Sequence, residues 1–388
     1  MVTAVRPAPL ATATTAPRTR LPAVRHLGPN WYASVMGTAI VANAGATLPY
    51  QFTGSRTACA AVWALSFLLL AVLLAARAAH WIHHRDQARA HLLDPAVAPF
   101  YGCLSMALLA VGAGTLIVGK DWVGTGAAVA IDAVLFTAGT AIGLAGAVTI
   151  PYLMVVRHRI TADQASPVWL LPVVAPMVSA AVGPLLLPHL PPGQAQQTML
   201  YACGAMFGLS LLATLMTLPV IFARLVTAGP LPTALTPTLF LVLGPLGQST
   251  TAANKFADVA PGVVPAPLDQ AFLAFAVLYG VPVTGFALLW LALAAAMVRR
   301  ARRDGMGFAM TWWAFTFPVG TCVTGAEGLG AHTGLPAFDW LATGLYVLLV
   351  VTWAAALAHT LRGTVTGRLL AAPRPGPPGP GSGTGRTR

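Results

Sequence analysis

Charged side chains are scarce in this chain. Asp, Glu, Lys and Arg make up 8% of its 388 residues, against roughly 25% in a soluble globular domain, which excludes a water-facing surface over most of the molecule. Cysteine is scarce as well. Cys59, Cys103, Cys203 and Cys322 all fall inside apolar runs without metal-ligand spacing, so they read as small buried hydrophobes rather than a disulfide framework. No G-x-S-x-G, H-E-x-x-H or Walker A pattern occurs, and no stretch could form a soluble nucleotide-binding domain. The expectation is therefore no enzyme, no cofactor and no metal. The first 25 residues, rich in Ala, Thr, Pro and Arg, lack the apolar core of a cleavable signal. We read 1–26 as a disordered tail, 27–362 as one membrane domain, and the Pro/Gly-rich 363–388 as a second disordered tail.

What the chain has in abundance is apolar sequence: 57% hydrophobic residues and a mean hydropathy of +0.74. A helix needs about 20 residues to cross a hydrocarbon core about 30 Å thick. Ten runs qualify: Trp31 to Pro49, Thr57 to His80, Pro99 to Val118, Gly124 to Ile150, Val168 to Leu187, Thr198 to Phe222, Ala234 to Ala253, Gln270 to Val298, Gly307 to Gly328 and Phe338 to Leu361. The expected fold is an all-α integral membrane protein. A net charge of +12 and a pI near 10.4 would suggest nucleic acid in a soluble protein, so the placement of the charges decides. With ten spans, all 22 Lys and Arg except Arg56, Lys120 and Lys255 fall on the side of both termini. That asymmetry predicts cytoplasmic termini in the cell (plasma) membrane and no nucleic-acid partner.

The odd-numbered spans carry small or polar stripes at helical spacing. Ser34, Gly37 and Thr38 mark the first; Pro172, Pro176, Ser179 and Gly183 the fifth; Gly244, Gly247, Gln248 and Thr251 the seventh; Phe317, Gly320, Thr321 and Thr324 the ninth. The even spans are bulkier or Ala-rich. Small residues on one helix commonly serve close packing alone. Their recurrence on alternate helices instead predicts five hairpins with odd helices around a central polar conduit. Pro49, Pro172, Pro176, Pro245 and Pro318 would bend or end the inner helices, and backbone freed by a kink is tolerated where it lines a cavity.

Four segments, "LGPNWYASVMGTAIVANA", "VWLLPVVAPMVSAAVG", "PTLFLVLGPLGQSTTAA" and "WWAFTFPVGT", together resemble the tellurite-resistance/dicarboxylate transporter family. It includes slow anion channels, malate permeases and sulfite efflux pumps. The resemblance covers Gly28 to Leu361 and implies ten helices in five pseudo-symmetric hairpins, a homotrimer with one pore per subunit, and a ninth-helix phenylalanine that occludes the pore. The matching residue is Phe317, with Phe315 as the other register; Pro318 would bend the helix where Phe317 meets the axis.

No Lys or Arg lies in the central part of a span. Selectivity would come from hydroxyls, Gln248 and helix dipoles, which favours weak passage of small anions over a tight C4-dicarboxylate pocket. Efflux of sulfite or a tellurite-related oxyanion is the alternative. Asp132, inside the fourth span, is either a proton site for coupled transport or a hydrogen-bonded interface residue. Glu327 would be solvated at the outer end of the ninth helix, and His80, His83, His84 and His91 with Arg85 and Arg89 would form a solvated basic loop.

Overall fold

The computed structural model describes residues 25–370, so most of the disorder expected at 1–26 and 363–388 falls outside the described residues. Within them the chain is helical: α1 Tyr32–Thr47, α2 Ser55–His83, α3 Arg85–Leu93, α4 Gly102–Gly114, α5 Lys120–Val123, α6 Thr125–Val156, α7 Leu170–Val182, α8 Gln194–Ala228, α9 Leu243–Val259, α10 Leu268–Arg303, α11 Phe317–Thr333 and α12 Pro336–Val365. The last helix thus runs three residues past the expected boundary at 362.

The helices sort into two layers. α2, α6, α8, α10 and α12 are 29 to 36 residues long, and at most 33% of the apolar window in each is buried. Their remaining Leu, Val and Ala side chains have nothing but surroundings to face, as on a lipid-exposed surface. By contrast, 89% of the window within 98–123 and 83% of that within 167–185 are buried. α1, α9 and α11 join this inner layer, with most of their residues buried. Among the described residues seven segments are long and apolar enough to cross a membrane. α1, at 16 residues, and α9 and α11, at 17 each, are shorter than that.

Their shortness has a local cause. Every inner helix is entered through a 3-10 turn: Pro29–Trp31, Ala98–Tyr101, Pro167–Trp169, Thr236–Val242 and Met310–Phe315. The first four of these turns open with Pro in their first two residues, where the missing N–H costs no hydrogen bond. In the ninth span the chain breaks at Thr316 (φ −96°, ψ −79°), and Pro318 falls in the first turn of α11. Pro318 therefore does not bend a helix at its middle, as expected from the sequence; it starts one. Pro245 is likewise in the first turn of α9, whereas Pro176 lies inside α7.

α4 leads into a π-helical turn, Thr115–Gly119, before α5. Trp63 of α2 donates its indole N–H to Thr115 Oγ1 at 3.2 Å, and a side chain at Gly119 would strike the Trp63 ring. The histidine cluster also departs from expectation. His80 and His84 are buried, and buried Arg77 donates to Leu27 O at 2.6 Å and to Tyr101 Oη at 3.1 Å. The short helix α3 folds back over them, stacking His91 on His80 with ring centroids 5.4 Å apart; only His83, Arg85 and Arg89 remain exposed.

Candidate functional site

The five inner helices enclose two spaces, one after the other. Nearer their N-terminal ends, Met36, Met106, Leu170, Leu171, Val174, Leu241, Gly244, Phe317 and Pro318 close around a cavity of about 10 Å³, room for a single water at most. Nearer their C-terminal ends lies a vestibule of about 200 Å³, to which α1 gives Asn43 and Thr47, the third span Ala113 and Ile117, α7 Ala181 and Val182, α9 Gln248, Thr251, Lys255 and Asp258, and α11 Thr324, Glu327 and Ala331. Each space draws on all five helices, and in the same order along each. The inner helices therefore run parallel, and their axis passes from an apolar constriction into a polar chamber.

The chamber's polar groups are held by one another. Thr251 Oγ1 lies 2.7 Å from Thr324 Oγ1, and Thr47 donates to Glu327 Oε2 at 2.7 Å. Asn43 spends its amide N–H on Ala110 O at 2.9 Å. Asn43 Oδ1, Gln248 Oε1 and Glu327 Oε1 have no hydrogen-bond partner among the described residues. At the rim, Lys255 pairs with Asp258 at 2.8 Å. Asp258 also lies 3.0 Å from His332 Nε2, and His332 Nδ1 lies 2.7 Å from Asn254 Oδ1. Among the described residues Lys255 is the one cation bordering the chamber and no guanidinium fork faces it, so a small anion there would find amide and hydroxyl dipoles and a partly neutralised ammonium.

The residues expected to line the path divide in two. Phe317, Pro318 and Gly244 are at the constriction, and Gln248, Thr251 and Thr324 are in the vestibule. Phe315 instead packs edge-on against Phe240 with centroids 4.8 Å apart. The others are turned toward neighbours. Ser34 donates to Trp31 O, and Thr38 accepts the Trp353 indole N–H from α12 at 3.1 Å. Ser179 accepts from Thr140 of α6 at 2.9 Å. Thr321 donates to Pro318 O at 2.7 Å. The positions where Gly37, Gly183, Gly247 and Gly320 would carry side chains are occupied by Thr316, Cys203, the α11 backbone and Ile40 respectively. Helix periodicity groups residues on a face, but an inner helix has neighbours on every side, and small residues are needed wherever backbones approach.

Asp132 is buried against α4, beside Gly112, with neither carboxylate oxygen partnered among the described residues. Glu327, expected in solvent, is half-buried in the chamber. Asn43 and Thr47 were not anticipated from the sequence. The signal for them was a lone amide in the apolar run "AIVANAGAT", with a hydroxyl one helical turn later.

Comparison with known proteins supplies the context for this path. An uncharacterized transporter of Methanocaldococcus jannaschii is 28% identical over 356 residues, covering 90% of this chain and 97% of the relative. Sulfite efflux pumps of Trichophyton rubrum and Arthroderma benhamiae are each 27% identical over 363 residues, covering 90% of this chain and 93% of theirs. The model of the voltage-dependent anion channel family, SLAC1, matches residues 26–361, which takes in the whole of the two-layered bundle from the turn before α1 to the last turns of α12. With all five inner helices and both chambers inside that match, the chain belongs to the voltage-dependent anion channel family.

Proposed function

We propose that the protein carries small anions across the plasma membrane through the path enclosed by α1, α4, α7, α9 and α11, with Phe317 as its closure. The observation that supports this most is the continuity of the apolar constriction with the polar chamber on the same five helices. In this reading α1, α9 and α11, lengthened by the turns that precede them, complete ten crossings. The arginine-rich ends and the N-terminal face of the inner helices are then cytoplasmic. The family resemblance further implies a homotrimer with one path per subunit.

Lys255, the chamber's one cation among the described residues, is offset by Asp258, which favours singly charged ions over C4-dicarboxylates, since a dianion gains most from a bidentate arginine. Sulfite efflux is the second reading, favoured by the coverage of the fungal pumps. Tellurite-related oxyanions belong to the same chemical class. The test is uptake of chloride, nitrate, sulfite and malate into proteoliposomes made with the full chain and with Phe317→Ala. Movement of the small inorganic ions ahead of malate is expected. Sulfite moving well ahead of chloride and nitrate would favour the second reading, and no movement of any of the four in either protein would defeat both.

A further inference from the structure

A further cavity lies off the axis of the five inner helices. It has a volume of about 390 Å³ and lies among the chain segments that lead into α4, α7 and α9, walled by Phe100, Trp169, Leu231 and Leu235. Arg224, near the C-terminal end of α8, borders it. Its guanidinium is pinned by two main-chain carbonyls from different loops: Nε donates to Asp163 O at 2.8 Å and Nη1 to Gly229 O at 2.6 Å. Both partners are neutral, and no carboxylate lies within ion-pair distance among the described residues, in contrast to Arg25 and Arg56, which pair with Asp86 and Asp121. The second nitrogen of the fork, Nη2, makes no hydrogen bond among the described residues. A fixed, half-buried guanidinium without a paired carboxylate, beside an aromatic wall, is the geometry that captures an oxyanion.

A second observation points the same way. Ser166, 8% exposed, lines the cavity, and its hydroxyl has no hydrogen-bond partner among the described residues. Buried hydroxyls are nearly always satisfied; this one sits just behind the cavity wall with no open surface of its own, and an occupant reaches it through a turn of the Ser166 χ1. The Asp163 side chain, exposed at the edge of the cavity, sets the charge of that occupant. A second negative charge would face a carboxylate, whereas one negative charge can seat on Arg224 with its apolar body against Phe100 and Trp169.

We infer that this cavity is a binding site for a singly charged oxyanion with an apolar body, held by Arg224 and Ser166 and screened against dianions by Asp163. This goes beyond the transport reading and does not depend on what crosses the conduit. Two sources share the chemistry: a free aromatic or aliphatic carboxylate, and the phosphodiester of an acidic lipid with its acyl chains.

The experiment is equilibrium binding of radiolabelled benzoate to the purified full chain in neutral detergent, with phthalate as the dianionic competitor and phosphatidylglycerol in mixed micelles as the lipid competitor. Arg224→Gln is expected to weaken benzoate at least roughly tenfold, the scale of one charge-assisted bond, and Ser166→Ala several-fold. Phthalate should compete poorly with the wild type and well with Asp163→Asn. Displacement by phosphatidylglycerol assigns the site to the lipid; failure of the lipid to displace assigns it to the soluble carboxylate. Should Arg224→Gln unfold the loops it pins, the Ser166 and Asp163 variants carry the test. Saturable binding of neither benzoate nor lipid, or benzoate binding indifferent to Ser166 and to Asp163, overturns the assignment.

Discussion

Truncating Phe317 separates the two things a buried ring can do. The side chain is 3% exposed, and removing a buried phenyl group from a packed core costs about 3–5 kcal/mol in lost contacts and residual void. Phe317→Ala should therefore melt at a lower temperature whatever its role. The constriction it closes holds only about 10 Å³. Losing the ring enlarges that space several times over and joins it to the polar chamber above, where water can follow. An apolar plug converted to a wet passage should raise anion flux by at least tenfold, equivalent to about 1.4 kcal/mol of barrier. Stopped-flow chloride uptake into proteoliposomes measures this. Phe315→Ala is the control, because Phe315 packs on Phe240 and Trp312 and should lose stability without gaining flux. A Phe317→Ala protein that melts lower but conducts no faster would show that the ring packs rather than plugs. Equal gains from Phe315→Ala would refute the placement of the constriction.

Three further outcomes follow from the geometry. Asp258 puts a carboxylate at the rim of the chamber, against Lys255, and Asp132 does not, so Asp258→Asn should speed anion uptake about threefold to tenfold at low salt, while Asp132→Asn leaves the pH dependence of flux unchanged. A pH profile altered by Asp132→Asn alone would reverse that assignment. A Cβ at Gly247 would come within 2.5 Å of the α11 backbone, whereas one at Gly244 meets nothing within 4 Å. Gly247→Ala should lose about 1–3 kcal/mol in detergent unfolding, and Gly244→Ala should keep its stability but conduct less. On α3, burial, followed by the charges of Arg77 and His80, pushes His91 down to about 4 from 6.5. The unfolded chain then binds the extra proton first, so this contribution is intact above pH 6.5 and is lost as pH falls toward 4. Melting temperatures across that window should fall less for His91→Gln than for the wild type.

Hydropathy made the all-α membrane class and the long apolar spans legible, and the small, polar stripes the alternation of inner and outer helices, because lipid exposure acts on whole helices at once. The finer geometry was less so. Pro318 reads as a mid-helix breaker in sequence, yet the chain breaks before it, at Thr316, and only the backbone shows this. Gly37 and Gly320 share the small, polar stripes with Thr324, but they face Thr316 and Ile40 instead of the chamber. Stripe membership cannot say which of several neighbours a glycine serves. His80 and His84 looked like part of a wet loop; both are buried, and α3 folds back to stack His91 on His80. Glu327 needed Thr47, 280 residues away in sequence, to become part of the chamber.

The parallel arrangement of α1, α4, α7, α9 and α11 has an electrical consequence of its own. Each helix carries about half a positive charge at its N-terminus and half a negative charge at its C-terminus, and here all five like ends gather around one axis. The compensating ends of the longer outer helices lie farther out. In the proposed conduit a negative ion would thus meet a more favourable backbone potential at the constriction end than at the chamber end. That asymmetry belongs to the backbone, and it would persist in a variant stripped of Lys255, Asp258 and Glu327.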